Sequence, residues 1–276
     1  MHRAESDDEL LRFAAIRLAA SPRDWAVPPR REPDRLILLW QDQGCGLAAR
    51  SDLADSVTVQ VYVRPEARRA GVGSAIAARL LEHARGFGRP YLFSTVDEQS
   101  KEGVSFAERL GLREVGREVE ARRAIGDEPA PPPLPGIEVV SIAARPELLE
   151  AAWFTVGIEG FADMPTPSPV AMTREKWLAE EAAVPEGSFV ALEGDRVIGY
   201  AGMLENEHGL TTVARSHRGR GIAVHLKRCQ LAWAARSGVR ELVSYTQGVN
   251  GSMQRVNDLL GYRAQPAWLK MQGPVT

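Results

Sequence analysis

Apolar and polar positions along this chain follow two periods that keep exchanging. Apolar residues recur every three or four positions over 7–18, 146–158, 170–183, 221–236 and 251–260, which predicts helices with one face turned to a core. They run together or alternate by twos over 35–40, 46–50, 137–142, 188–192, 197–204, 210–213, 241–245 and 267–271, which predicts strands. A last strand of the first half is predicted near 117–122, and no opening strand is evident before its first helix. The segments 188–192 and 197–204 close as a hairpin around Glu193-Gly-Asp-Arg196, and 35–40 with 46–50 forms another. The run Phe161 to Pro169 carries three prolines and reads as an irregular loop. Strands alternating with helices, but including hairpins, predict an α/β fold: a mixed, mostly antiparallel central sheet flanked by helices.

The pattern occurs twice. Val61-Tyr-Val63-Arg-Pro-Glu-Ala-Arg68-Arg69-Ala-Gly71-Val72-Gly73-Ser74 is answered by Thr211-Thr-Val213-Ala-Arg-Ser-His-Arg218-Gly219-Arg220-Gly221-Ile222-Ala223. A constant offset of 150 carries Val63 to Val213, Arg68 to Arg218, Gly71 to Gly221, Leu81 to Leu231 and Leu110-Gly111 to Leu260-Gly261. Register held across a turn, a helix, a strand and a second helix marks one unit used in tandem. Between the copies, Gly126 to Gly136 holds five prolines, which exclude a helix and favour an extended spacer. The expected organisation is an N-terminal domain over 1–125, shortened at its start, a Pro-rich linker over 126–136 and a C-terminal domain over 137–276.

A 44% apolar content is enough for a core in each half, and the net charge of −2 gives no reason to expect a nucleic-acid or membrane partner. No apolar run reaches the length of a membrane span, and the N-terminus is acidic without a signal-peptide core, so a cytoplasmic protein is expected. Cys45 and Cys229 fall in different halves and form no redox or ligand motif. His83 and His225 have no metal-spaced partner, so no metal is expected. The cations are almost all Arg, with Lys only at 101, 176, 227 and 270.

Each repeated turn joins a strand to an amphipathic helix through Arg-x-x-Gly-x-Gly/Ala. Glycine permits positive φ and close approach of a ligand to the backbone. The first-turn amides are unpaired donors at the positive end of the helix dipole, a natural phosphate site, with Arg68 and Arg69 or Arg218 and Arg220 adding charge beside it. No Gly-Lys-Ser/Thr follows either turn, and the third glycine of a dinucleotide fingerprint is replaced by Ile76 and Val224.

These turns, the Arg196-Val-Ile-Gly-Tyr-Ala201 strand and the helix Asn250-x-x-Met253-x-x-x-Asn257-x-x-Leu260-Gly-Tyr262 resemble the GNAT superfamily of N-acetyltransferases. The resemblance spans nearly all of 137–271 and, in the first half, mainly 57–119. It implies a tandem GNAT protein that binds acetyl-CoA at Val213, Arg218, Gly219, Arg220, Gly221, Ile222, Ala223 and Asn250. The corresponding set in the first half is Val63, Arg68, Arg69, Gly71, Val72, Gly73 and Ser74. It further implies direct transfer of an acetyl or longer acyl group to the amine of a small molecule, by a monomer or homodimer.

Family members commonly carry a Tyr acid four residues before the helix-end Gly. Here Ala107 and Asn257 occupy those positions. Candidates for proton transfer in the second half are Glu205, Glu207 and His208, just before the cofactor strand, with Tyr245 at the end of the following strand and Asn257 in the last helix. Asp97 and Glu98 hold a similar edge in the first half and read as loop charges. Phe154, Phe161 and Met164 lie near the loop that in this family covers the acceptor. The C-terminal half, with its complete run of elements, is expected to be catalytic. Two alternatives stand beside this: a non-catalytic acyl-CoA-binding protein, and a protein N-acetyltransferase.

Overall fold

The computed structural model describes residues 1–24 and 27–275. The chain forms two compact units, Met1–Arg117 with Ala267–Thr276, and Glu118–Pro266.

The first unit opens with a two-residue strand, β1 (His2–Arg3), which the sequence pattern did not reveal because two polar residues carry no periodicity. Ser6 then caps α1 (Asp7–Ala20): its hydroxyl accepts from the Glu9 amide, while the Glu9 carboxylate reaches back to the cap, a reciprocal box that fixes where the helix starts. The hairpin β2 (Leu36–Trp40) and β3 (Gly44–Arg50) follows, then β4 (Ser56–Val63), α2 (Val72–Arg85), β5 (Tyr91–Asp97) and α3 (Lys101–Arg109). Strand alternation sorts the core into two layers. Ile37, Leu39, Cys45 and Leu47 face α1 through Phe13 and Ile16. Val57, Val59 and Leu92 face α2 through Val72, Ile76 and Leu80. The strand β6 (Arg113–Ala124) starts in this unit and passes into the second after Arg117.

The second unit repeats the order with β7 (Glu138–Ser141), then α4 (Leu148–Ala152), which runs through a π-helical turn (Trp153–Gly157) into α5 (Ile158–Ala162). The helix thus continues four residues beyond the expected end at 158. After a loop, Thr173 caps α6 (Arg174–Glu180), shorter than the 170–183 helix expected. β8 (Phe189–Glu193), β9 (Arg196–Leu204) and β10 (Glu207–Val213) form the meander, followed by α7 (Ile222–Arg236), β11 (Glu241–Gln247), α8 (Gly251–Leu259) and the short β12 (Arg263–Ala264). Trp177, fully buried, donates its indole N–H to the Leu149 carbonyl at 2.8 Å and packs on Tyr200, closing the layer beneath α4 and α6.

The last strand, β13 (Trp268–Pro274), pairs antiparallel with β5 and completes the sheet of the first unit, burying Leu269 and Met271 in its core. Residues Glu118–Ala124 of β6 pair antiparallel with β11 and complete the sheet of the second. The two strands are therefore exchanged relative to the sequence-based organisation, which gave 117–122 to the first domain and 267–271 to the second. Strand pairing is non-local, so the pattern that marks a strand carries no record of its partner. Among the described residues each unit has one parallel pair, β4 with β5 and β10 with β11, among antiparallel neighbours. The mixed, mostly antiparallel α/β architecture read from the sequence is the one observed.

Candidate active site

Both repeated turns have the same build. A 3₁₀ turn (Pro65–Ala67 or Arg215–His217) follows the strand, and a left-handed glycine (Gly71, φ 82°; Gly221, φ 78°) opens the helix. Gly219 takes φ 78°, and its counterpart Arg69 takes φ 65°, a left-handed conformation that a long side chain tolerates at some cost in strain. The first intrahelical bonds run from Ala75 to Gly71 and from His225 to Gly221. The amides of Val72, Gly73 and Ser74, and of Ile222, Ala223 and Val224, precede them and have no side-chain cap, so each turn presents a row of donors suited to phosphate.

The motif arginines turn inward. Arg218 Nε donates to the Val213 carbonyl at 2.9 Å, and Arg68 Nε to the Val63 carbonyl at 3.2 Å, so each guanidinium ties the turn to the end of its own strand. The remaining nitrogens of Arg218 reach Asp163 at 2.6 Å and Glu159 at 3.4 Å, and those of Arg68 reach Glu102 and the Ala20 carbonyl. Arg215 and Arg218 hold the Asp163 carboxyl down to about 2. Arg220 and His217 both contact Glu193. Asn250 caps α8, its side-chain oxygen accepting from the Met253 amide at 3.2 Å.

Beyond the turn the parallel strands separate. β10 meets β11 at one registered pair, Glu207 with Val243, and the strands part toward Val213 and Gln247, leaving a wedge in the sheet. On its other side β10 slips register against β9 between His208 and Thr211, and the Thr211 hydroxyl is buried without a partner. In the first unit the β3–β4 ladder runs without a slip from Gly44–Val63 to Arg50–Val57. There the separating strands are bridged by Gln60 Nε2 donating to Thr95 Oγ1 at 3.4 Å. Asp97 at the wedge edge is ion-paired with Arg23 at 2.8 Å, and Arg23 lies over the Trp268 ring.

Glu207 and His208, expected just before the cofactor strand, are the first residues of β10 and point to opposite faces. Glu207 lies half-buried, and burial, with Glu118 and Glu120 close by, pushes its carboxyl up to about 7. His208 is buried against α7: Nδ1 pairs with the Gln230 side-chain oxygen at 2.8 Å and Nε2 with the Tyr262 hydroxyl. Desolvation drives its pKa well down and keeps the ring neutral, so His208 is a core residue with both nitrogens engaged. Glu205 is the exposed turn residue, at φ 52°. Tyr245 sits opposite Glu120 in the β11–β6 ladder. Phe161 packs edge-on to Trp177, Met164 follows in the loop, and Phe154 is exposed.

Asn257 joins a buried polar network that the sequence reading did not find. Its amide nitrogen donates to Ser244 Oγ and Thr246 Oγ1, both at 3.2 Å, and its oxygen accepts from Lys227 Nζ at 3.0 Å. Lys227 also donates to Ser244 Oγ at 3.1 Å, and burial lowers its pKa to about 7. One signal was available: in a chain whose cations are nearly all Arg, a Lys at a core-facing helix position is the cation whose proton burial can loosen. Glu181 was also missed. It is buried beside the register slip and accepts the Leu210 N–H at 2.6 Å, and burial pushes its carboxyl to about 7. A Cβ at Gly202 or Gly209 would come within 2.7 Å of Glu181, so these two glycines make the space it occupies.

Among the described residues, no group of three or more His, Cys, Asp or Glu is placed to hold a metal ion, and no helix is long and apolar enough to cross a membrane.

The model of the acetyltransferase (GNAT) family matches this chain twice, over residues 5–112 and 153–262. A mycothiol acetyltransferase of Actinosynnema mirum is 30% identical over 222 residues, 76% of this chain and 73% of that protein. A mycothiol acetyltransferase of Catenulispora acidiphila is 25% identical over 238 residues, 81% of this chain and 74% of that protein. Among solved structures, a GCN5-related N-acetyltransferase from Sphaerobacter thermophilus superposes with a TM-score of 0.79 at 19% identity, covering 99% of this chain and 95% of that one. A tandem GNAT protein from the clavulanic acid biosynthesis pathway gives 0.74 at 20% identity, covering 98% and 96%.

Proposed function

The chain belongs to the acetyltransferase (GNAT) family, and on that footing we propose that its second unit transfers an acetyl group from acetyl-CoA to the amine of a small molecule. The names of its two relatives point to the unacetylated amine form of mycothiol as the acceptor to try first.

The observation that carries this reading is the layout of β10. The strand begins at Glu207 and ends at Val213, where the donor-lined turn starts, so a half-buried carboxylate and a row of backbone donors stand at the two ends of one strand. Six residue steps at roughly 3.4 Å each separate them by about 20 Å, a span for the extended arm between pyrophosphate and thioester. The amides of Ile222 and Ala223 would bind the pyrophosphate, and the wedge between β10 and β11 would admit the arm. Glu207, poised near neutrality, removes a proton from the attacking amine directly or through water.

The first unit supports a different use. Its turn is equally well formed, but its wedge is bridged by Gln60 and Thr95, and its β4 has no register slip. We assign it a structural part, or binding of CoA without turnover. The unpaired thiols Cys45 and Cys229 accord with a cytoplasmic setting.

The test is release of free CoA from acetyl-CoA by the full chain with the unacetylated amine form of mycothiol and a panel of other small amines, with mass analysis of the acetylated product. Acceptor-dependent release with N-acetylated product is expected. Tight acetyl-CoA binding without release across the whole panel would replace this reading with that of a non-catalytic acyl-CoA-binding protein.

A further inference from the structure

We propose that Lys227 donates the proton taken up by the departing CoA thiolate, with Asn257 and Ser244 as the positioning residues that aim its ammonium into the wedge. The proposal rests on the acetyltransfer reading above and concerns the step which that reading leaves without a donor. Asn257 stands four residues before Gly261, where an acid is expected, and an amide has no proton to give at neutral pH.

Lys227 stands part-way along the proposed arm, and its side chain carries Nζ on to Ser244 of β11. It follows the helix-opening Gly221 by six residues, about 9 Å along α7 at 1.5 Å per residue, on the path of an arm leading away from a pyrophosphate at the helix start. Its Nζ lies between α7, α8 and β11, on Ser244 and Asn257. Ser244 and Thr246, which Asn257 also holds, follow Val243, the residue of β11 registered with β10, and so belong to the part of the strand beyond that pairing. Lys227 comes from the face of the sheet opposite Glu207: its neighbour His208 is buried against α7, whereas Glu207 points the other way. Base and acid thus approach the thioester from opposite sides, so that neither occupies the other's place.

The groups that face Lys227 are His208 from β10, held neutral; Tyr262, whose ring lies 5.3 Å from Nζ; Ser244 from β11; and Asn257 from α8. Burial is the cause of its lowered pKa, and the ammonium is accordingly a stronger acid than an exposed lysine. The step balances. The amine nitrogen bonds to the carbonyl carbon, its proton leaves toward Glu207, the C–S bond breaks with its electron pair on sulfur, and that pair takes a proton from Nζ. After CoA departs, Glu207 returns its proton to solvent and the neutral amine of Lys227 takes one up.

Two variants of the full chain test this with acetyl-CoA and the acceptor that the wild type uses best. Lys227→Met removes the proton. Lys227→Arg keeps a cation and donors for Ser244 and Asn257 but cannot release its proton near neutrality. For both, kcat is expected to fall about 100-fold or more while KM for acetyl-CoA stays near wild type. The wild-type kcat is expected to decline as pH rises above about 7, where the acid is lost, and this decline to vanish in both variants. If Lys227→Met does not fold, Lys227→Arg and the wild-type profile decide the matter. Wild-type kcat in a folded variant, a lowered kcat that keeps the alkaline decline, or a wild-type profile with no decline above pH 7 each overturns the proposal alone. A wild type that releases no CoA with any acceptor overturns the acetyltransfer reading and this proposal together.

Discussion

The Glu181 carboxylate accepts the Leu210 amide proton at 2.6 Å, and so a buried acid from the end of α6 is fastened to the slipped segment of β10. Its pKa, raised by burial from 4.5 to about 7, makes the second unit sensitive to pH. The folded state holds this proton more tightly than the unfolded state, so stability is greatest below about 4.5 and falls as pH rises through about 7. A rise of about 2.5 units at ~1.36 kcal/mol each sets an upper scale of ~3 kcal/mol. Glu181→Gln is expected to raise the melting temperature at pH 8 and to flatten its dependence between pH 5 and 8. A variant with the wild-type slope would remove Glu181 as the cause.

Glu207, the proposed base, titrates near neutrality, so it predicts the acid limb of the activity profile. As the base it must be ionised, and kcat is expected to rise with pH up to about 7. Glu207→Gln should lower kcat by about 100-fold or more and abolish that rise, with acetyl-CoA affinity retained. His208→Gln, altering a core residue of the same strand, should leave the acid limb in place. If the limb disappears with His208 and survives in Glu207→Gln, the two roles have been exchanged.

Arg218 shapes the second turn from within by holding the Val213 carbonyl. Replacing it with Ala leaves that carbonyl and the Asp163 carboxylate without their cation. A weakening of acetyl-CoA binding of about tenfold is expected, the scale of one charge-assisted hydrogen bond. Calorimetry with the Arg218→Ala protein measures it, and wild-type affinity would show that the turn holds its form without this tie.

What the sequence disclosed followed how local each feature is. The turns at Gly71 and Gly221 were legible because a left-handed glycine at a helix start is specified by neighbouring residues. The exchange of β6 and β13 was not, since Glu118–Ala124 and Trp268–Pro274 read equally well as strands beside any edge. Glu207 was found as a candidate, but its separation from His208 appeared only once β10 was seen to start at residue 207. Asn257 was noticed as a departure from the family pattern. Lys227 was not, because thirty residues and a β-strand divide it from the amide that holds it.

The exchange itself makes a prediction. A chain ending at Pro266 loses β13 and with it Leu269 and Met271 from the first core, and β5 becomes an open edge. Loss of large buried side chains costs roughly 2–5 kcal/mol each, enough to unfold a marginal domain. Hydrogen exchange on the truncated protein should show the first unit unprotected and β8, β9 and β10 still protected. Protection of β4 and β5 at the full-chain level would count against this assignment of β13.

The central claim, that acetyl transfer takes place in the second unit, is tested most directly by comparing Gly71→Asp with Gly221→Asp. A Cβ at either position meets nothing within 4 Å, and Asp is among the side chains that tolerate the left-handed conformation, so both proteins should fold. Each variant sets a carboxylate against the amides that would hold the pyrophosphate. The measurement is acceptor-dependent release of CoA by the two proteins, each checked by its melting curve. Gly221→Asp is expected to abolish release and Gly71→Asp to leave it near wild type; the reverse result would move the chemistry to the first unit.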